Sequence, residues 1–259
     1  MKTTRLSFPR FALVLLTIVV LWEGSRALFN VSPLVMPGVL TVLSALATAV
    51  VSGDILRQLA FSFSLIGMGI GVGAGLAVLA SIVGAQSRVA ADVMGTVASL
   101  FHPLPGIALL PVVILWFGTG RMAIIVIIVH SVFWPLLTNL QAGYQSVSPT
   151  YRLVGRNLGM SPTSFAVRIA APATVPYILA GLRIAWARSW RALISAEMIF
   201  GAVAAYGGIG WFLHTRRVFM DTAGLFAGIL VVMLVGSLVE RVAFGLVERS
   251  TIVRWGMSG

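Results

Sequence analysis

Arg188 and Arg191 stand three residues apart inside PYILAGLRIAWARSWRALISAEM (residues 176–198), a stretch that is otherwise mostly apolar. On a helix the two share one face, and two isolated cations there would bias a pathway toward anions. An ionised side chain in an apolar run of membrane length is costly, and it needs a partner or water. Glu197 lies nine residues beyond Arg188, about 180° around a helix, so it cannot neutralise Arg188 from the same segment. The partner is then Asp92, Glu240, carbonyls of neighbouring helices, or the anion itself. His130, alone among Ile and Val, is a candidate proton-relay or solute-contacting group, or equally a hydrogen bond between helices. Pro103, Pro105 and Pro111 each remove a backbone donor and kink or unwind their helix, which is tolerated where it faces protein or a watery cavity. A Pro-kinked packing helix is the plainer alternative. Pro103, Pro105, His130, Arg188, Arg191 and Glu197 are the candidate pathway residues.

A second group occupies 149–172, PTYRLVGRNLGMSPTSFAVRIAAP, which carries Arg152, Arg156 and Arg168 and no acidic residue. Arg152 and Arg156 are four apart and share a helical face. Gly159 suits a left-handed helix end, and Ser161 followed by Pro162 suits the cap and first turn of another helix. The expectation is a helix, a tight turn and a helix, offering Tyr151, Leu153, Val154 and Leu158 as apolar contacts. A solvated basic loop is the plain alternative.

Other chemistry is poorly supplied. The histidines His102, His130 and His214 fall on different segments, and HExxH, GxSxG and paired inward carboxylates are absent, so neither a metal site nor catalysis is expected. There is no cysteine, and Lys2 is the only lysine, which excludes a GxxxxGK phosphate loop. The chain is expected to carry no cofactor of its own. Any ATP-driven work must draw on an ATP-binding partner.

The elements that hold these residues are those of a membrane protein. Of 259 residues, 59% are hydrophobic and 10% charged, with a mean hydropathy of +1.01, which does not describe a soluble surface. The 18 basic residues are scattered singly and form no nucleic-acid-binding run. With about 20 apolar residues per crossing, the expected spans are 11–29, 59–85, 93–117, 122–140, 175–203 and 223–246. The first has basic residues ahead of it like a signal peptide, but no small-residue cleavage site follows, and a retained span is expected. Residues 30–57 are read as a surface helix rather than a further span. Alternating Gly67, Gly69, Gly71, Gly73 and Gly75 give overlapping GxxxG pairs, such as 67/71 and 71/75, that predict close helix packing. Tyr206 to about Thr222 is expected to be a polar outer loop. The chain is thus read as all-α, a single polytopic bundle of about six transmembrane helices over 1–259, with its core at 58–246.

Orientation follows from the basic residues. With the N-terminus inside, Lys2, Arg5, Arg10, Arg88, Arg152, Arg156, Arg168, Arg249 and Arg254 are cytoplasmic, while Arg26, Arg57, Arg121, Arg216 and Arg217 are outside. That balance places both termini and 149–172 in the cytoplasm.

Gly159, then nine residues, then Ile169-Ala170-Ala171-Pro172 resembles the cytoplasmic coupling loop of the permease subunits of binding-protein-dependent ABC importers. HPLPGIALLPVVILWFG (102–118), residues 176–198, GGIGW (207–211) and FMDTAGLFAGIL (219–230) resemble, in the same order, the nitrate, sulfonate and taurine branch of that family. The resemblance covers roughly 33–254 and implies a type I permease fold in a bacterial inner membrane. It also implies, as partners, cytoplasmic ATP-binding subunits, an extracytoplasmic substrate-binding protein and a second permease copy, giving a homodimer in a lipid bilayer. Tyr151, Arg152, Leu153, Val154, Arg156, Leu158, Gly159, Ile169 and Pro172 would then contact the ATPase. Leu153, Val154 and Gly155 stand where the family pattern reads Glu-Ala-Ala. A stand-alone secondary transporter or channel is the alternative reading.

Overall fold

The computed structural model describes residues 8–201 and 207–253. Lys2 and Arg5 ahead of the first span, Val203 at the expected end of the fifth, Tyr206, and Arg254 lie outside the described residues. Every described element is helical, as expected where backbone polar groups must be satisfied away from water. The helices are α1 (Phe8–Leu28), α2 (Val39–Val51), α3 (Asp54–Gln86), α4 (Arg88–Phe101), α5 (Leu110–Phe117), α6 (Arg121–Gln145), α7 (Pro149–Asn157), α8 (Pro162–Phe165), α9 (Ala171–Phe200), α10 (Ile209–Val218), α11 (Thr222–Leu238) and α12 (Phe244–Glu248).

Four continuous helical stretches are long and apolar enough to cross a bilayer: Asp54–Gln86, Arg121–Gln145, Thr163–Phe200 and Thr222–Thr251. A bent pair, Arg88–Phe101 with Gly106–Phe117, makes a fifth, and α1, at 21 residues, has the length for a sixth. α2 has 13 residues, about 20 Å of helix, which is too short to cross. Its N-terminus is tied to the end of α1, where Trp22 Nε1 donates to the Pro37 carbonyl at 2.9 Å and the Glu23 carboxylate accepts from Val39 N at 2.6 Å.

α6 is the centre of the bundle, with α3 against one side and α9 against another. Ile124, Ile127, Ile128, Val132, Leu136 and Leu137 of α6 are buried with Leu65 and Ile66 of α3 and Ala185, Leu193 and Ala196 of α9. The glycine-rich face of α3 packs as expected, but in the other register. A Cβ at Gly69 would collide with Ile128, and one at Gly73 would come within 2.8 Å of Val132, whereas Gly67, Gly71 and Gly75 meet nothing within 4 Å. Alternating glycines place two such rows on opposite sides of one helix, and sequence does not say which row faces the neighbour.

Three boundaries differ from the sequence reading. The interval 86–92 between the second and third expected spans reduces to Ser87, whose hydroxyl caps α4 by accepting from Ala90 N at 3.3 Å. The outer loop at 206–222 contains α10, in which Ile209, Gly210, Phe212 and Leu213 are buried. That i, i+3, i+4 spacing was the available signal. The fifth span starts earlier than 175, because α8 runs through one widened π-type turn, Ala166–Ala170, straight into α9. The wider turn relieves the clash a proline makes with the preceding turn, so Pro172 does not end the helix. Thr163–Phe200 is therefore one rod of 38 residues, about 57 Å long.

Candidate functional site

The proline segment breaks its span completely. α4 and the stretch Gly106–Phe117 meet at 89°, and Pro103–Pro105 form the corner. Pro111 lies in the first turn of α5, where a proline is tolerated, and causes no break of its own. A helix end leaves carbonyls without partners, and here the Arg188 side chain crosses from α9 to donate to the His102 carbonyl. Gly106 allows the corner to press against α6, since a Cβ there would lie 2.9 Å from Ser131 Oγ.

Beside the corner is a cavity of about 240 Å³ lined by Pro103, Leu104, Pro105, Gly106 and Ile107 on one side and by Ser131, Arg188, Arg191, Ala192 and Ser195 on the other. The α9 members recur at three- and four-residue spacing, which is one face of the rod. Arg191 is exposed and donates to its own Ala187 carbonyl at 3.0 Å. Among the described residues neither arginine joins a carboxylate in an ion pair, and the pairs present are Arg26–Glu23, Arg57–Asp54, Arg183–Glu248 and Arg216–Asp221. Of the partners the sequence left open, backbone carbonyls are the ones found, not Asp92 or Glu240. The cavity thus presents two positive side chains with no acidic lining residue, an arrangement suited to holding a small anion.

His130 is half-buried on α6, edge-on to Trp134 with ring centroids 6.4 Å apart, and among the described residues neither ring nitrogen has a protein partner. It does not line the cavity. Glu197 is elsewhere. It is 1% exposed, lies on the opposite face of the rod, and contacts Ser62 and Gly210, so as a pathway residue it is displaced by its position on the helix.

At the other end of the rod is a compact hairpin. Ser148 caps α7, with Pro149 in its first turn. Gly159 takes φ +66°, and Ser161 Oγ accepts from Ser164 N at 3.2 Å to start the second helix. The two arms touch where Gly155 faces Phe165, and a Cβ at Gly155 would come within 2.8 Å of that ring. Arg152 is turned inward: it donates to the Tyr144 carbonyl at 2.9 Å and its guanidinium lies 4.9 Å from the centre of the Tyr144 ring. It fastens the hairpin to the end of α6. Tyr151 (59%), Leu153 (60%), Val154 and Leu158 (72%) are exposed together with Arg156, an apolar surface with a positive rim. Ile169 and Pro172 are half-buried at the root of the rod.

The family model described as binding-protein-dependent transport system inner membrane component matches residues 69–253. Similar proteins include the taurine transport system permease protein TauC of Escherichia coli (strain K12), 28% identical over 92% of this chain and 86% of that protein. The putative aliphatic sulfonates transport permease protein SsuC of Bacillus subtilis (strain 168) is 26% identical over 92% of this chain and 84% of its own length. The nitrate import permease protein NrtB of Synechocystis sp. (strain ATCC 27184 / PCC 6803 / Kazusa) is 30% identical over 68% of this chain and 62% of its own.

Proposed function

The chain belongs to the inner membrane components of binding-protein-dependent transport systems, and we propose that it lines the path of a small anionic solute in an importer whose ATP is bound and hydrolysed by a separate cytoplasmic subunit. The observation that carries this reading is the rod Thr163–Phe200. One uninterrupted helix bears part of the exposed hairpin at one end and the cavity arginines along its length, so a push on the hairpin moves the cavity wall. Tyr151, Leu153, Val154 and Leu158, rimmed by Arg156, are the contact surface for the ATPase. Arg152, Gly159, Ile169 and Pro172 hold that surface in place.

The solute is a small oxyanion of the kind the relatives are named for, namely taurine, aliphatic sulfonates and nitrate. Pro103, Pro105, Arg188 and Arg191 line its path, with His130 of α6 as a further solute-contacting or proton-relay group. The remaining partners are an extracytoplasmic substrate-binding protein and a second copy of this chain. Both termini and the hairpin lie on the cytoplasmic side of a bacterial inner membrane. Arg88, Arg156 and Arg168 are exposed on the inner side of this orientation, the side that the excess of basic residues marks. A stand-alone transporter or channel is not favoured by membership of a binding-protein-dependent family.

The test is reconstitution of the chain with its ATPase and binding protein in sealed vesicles. ATP-dependent accumulation of a labelled sulfonate or nitrate, weakened by Arg191→Gln, is expected. Uptake without the ATPase, or unchanged anion uptake and selectivity after replacement of both cavity arginines by Gln, overturns the reading.

A further inference from the structure

Glu197 and Ser62 form a buried polar junction that the pathway does not use. They are 1% and 0% exposed. The Ser62 hydroxyl lies 2.7 and 2.9 Å from the two carboxylate oxygens of Glu197 and accepts from Ile209 N at 2.9 Å. Gly210 N donates to Glu197 Oε2 at 2.8 Å. Three elements distant in sequence meet here: α3, the outer end of α9, and the first turn of α10. No arginine pairs with Glu197 among the described residues, and the positive end of the α10 dipole faces it instead.

The backbone is shaped around this junction. Gly208 has φ −92°, a conformation open to any residue, so its lack of a side chain answers a steric demand. A Cβ at Gly208 would collide with the Glu197 carboxylate and the Ser62 hydroxyl, and one at Gly210 would come within 2.7 Å of Glu197 Cβ. α10 is thus seated on the back of α9, while Arg188, Arg191 and Ser195 line the cavity on the front.

We propose that Glu197 is a positioning residue that pins the outer helix α10 to the rod, so that α10 moves with α9 when the cytoplasmic hairpin is displaced. The proposal rests on the importer reading, in which the rod is the moving part. The pin also holds the outer end of the cavity wall in register with the rest of the bundle. A purely structural junction would add stability without carrying motion, and the two differ in what nucleotide does to α10.

The chain has no cysteine, so Val218→Cys, at the end of α10 and 56% exposed, gives one reporter in each copy of the chain. Its rate of reaction with a membrane-impermeant maleimide is measured in the full complex, nucleotide-free and trapped with ATP and vanadate. The expected result is a change of about fivefold or more between the two states, the lower end of couplings between sites. Glu197→Gln, which keeps an acceptor for Gly210 N, preserves the change. Ser62→Ala with Glu197→Met removes the side-chain hydrogen bonds and keeps the site filled, at the cost of leaving Ile209 N and Gly210 N without these acceptors. This double variant is expected to lose the nucleotide-dependent change and to import about tenfold less solute per ATP while still hydrolysing it, as expected when coupling rather than binding is removed. If the double variant melts earlier but keeps the nucleotide-dependent labelling and its uptake per ATP, the pin is structural and the proposal fails. The same conclusion follows if the complex carrying only the Val218→Cys reporter imports solute with no nucleotide-dependent change in labelling. A native complex that shows no ATP-driven uptake at all instead overturns the importer reading on which the proposal stands.

Discussion

Arg188 of α9 donates a hydrogen bond to the backbone carbonyl of His102, across 86 residues of sequence, and so closes the end of a helix that the prolines have broken. A charged group placed at unsatisfied carbonyls does two things: it supplies the donor they lack, and it meets the negative end of the α4 dipole. Among the described residues Arg191, one turn on, bonds to its own helix alone, which under the proposed function leaves its side chain to follow a solute.

The two arginines are therefore expected to differ. Arg188→Gln leaves the α4 end short of a charged donor, an interaction worth about 1.5–3 kcal/mol, and should lower ATP-driven uptake at every solute concentration. Arg191→Gln should chiefly raise the solute concentration needed for half-maximal uptake. Concentration dependence of initial uptake rates separates the two, and identical profiles would contradict this assignment.

Gly159 holds φ +66° in the hairpin turn, where a Cβ has open space around it. The cost of Gly159→Ala is then conformational, about 1 kcal/mol, and Gly159→Asn should cost less. Gly159→Pro, whose φ is locked near −65°, should abolish co-purification with the ATPase while the thermal melt of the bundle stays near that of the native chain.

Leu153 is 60% exposed, whereas Arg152 is fastened to Tyr144. Leu153→Asp should weaken ATPase binding about tenfold or more, since it places a charge in an apolar contact. Arg152→Gln should act instead through the hairpin, increasing its susceptibility to limited proteolysis. Equal protease sensitivity of the Arg152→Gln and native hairpins would count against the staple.

The glycine register of α3 gives a paired comparison. Gly73→Val forces a side chain into Val132 and should destabilise the bundle by about 1–3 kcal/mol, whereas Gly71→Val, with nothing within 4 Å, should leave the melt in detergent nearly unchanged. A lower melting temperature for Gly71→Val than for Gly73→Val would mean that α3 packs on its other face.

By itself the sequence determined the membrane-spanning class, the six apolar runs, a third span interrupted by prolines and the capped turn at Gly159, because these depend on residue type at short spacing: apolar length, a proline's missing donor, a glycine's freedom at positive φ; whether the prolines kink or break that span it left open. It also showed that Glu197 could not serve Arg188 from the same helix, which is a matter of about 100° per residue. The tertiary structure decided everything that required knowing which face meets which. It chose Gly69 and Gly73 over Gly67, Gly71 and Gly75, turned Arg152 inward onto Tyr144, and gave Arg188 the His102 carbonyl in place of a carboxylate. It placed Glu197 with Ser62 and α10, and folded a helix into what reads as a polar loop. Each of these is a contact between segments brought together by the fold, and periodicity along one segment carries no information about the rotation of its neighbour.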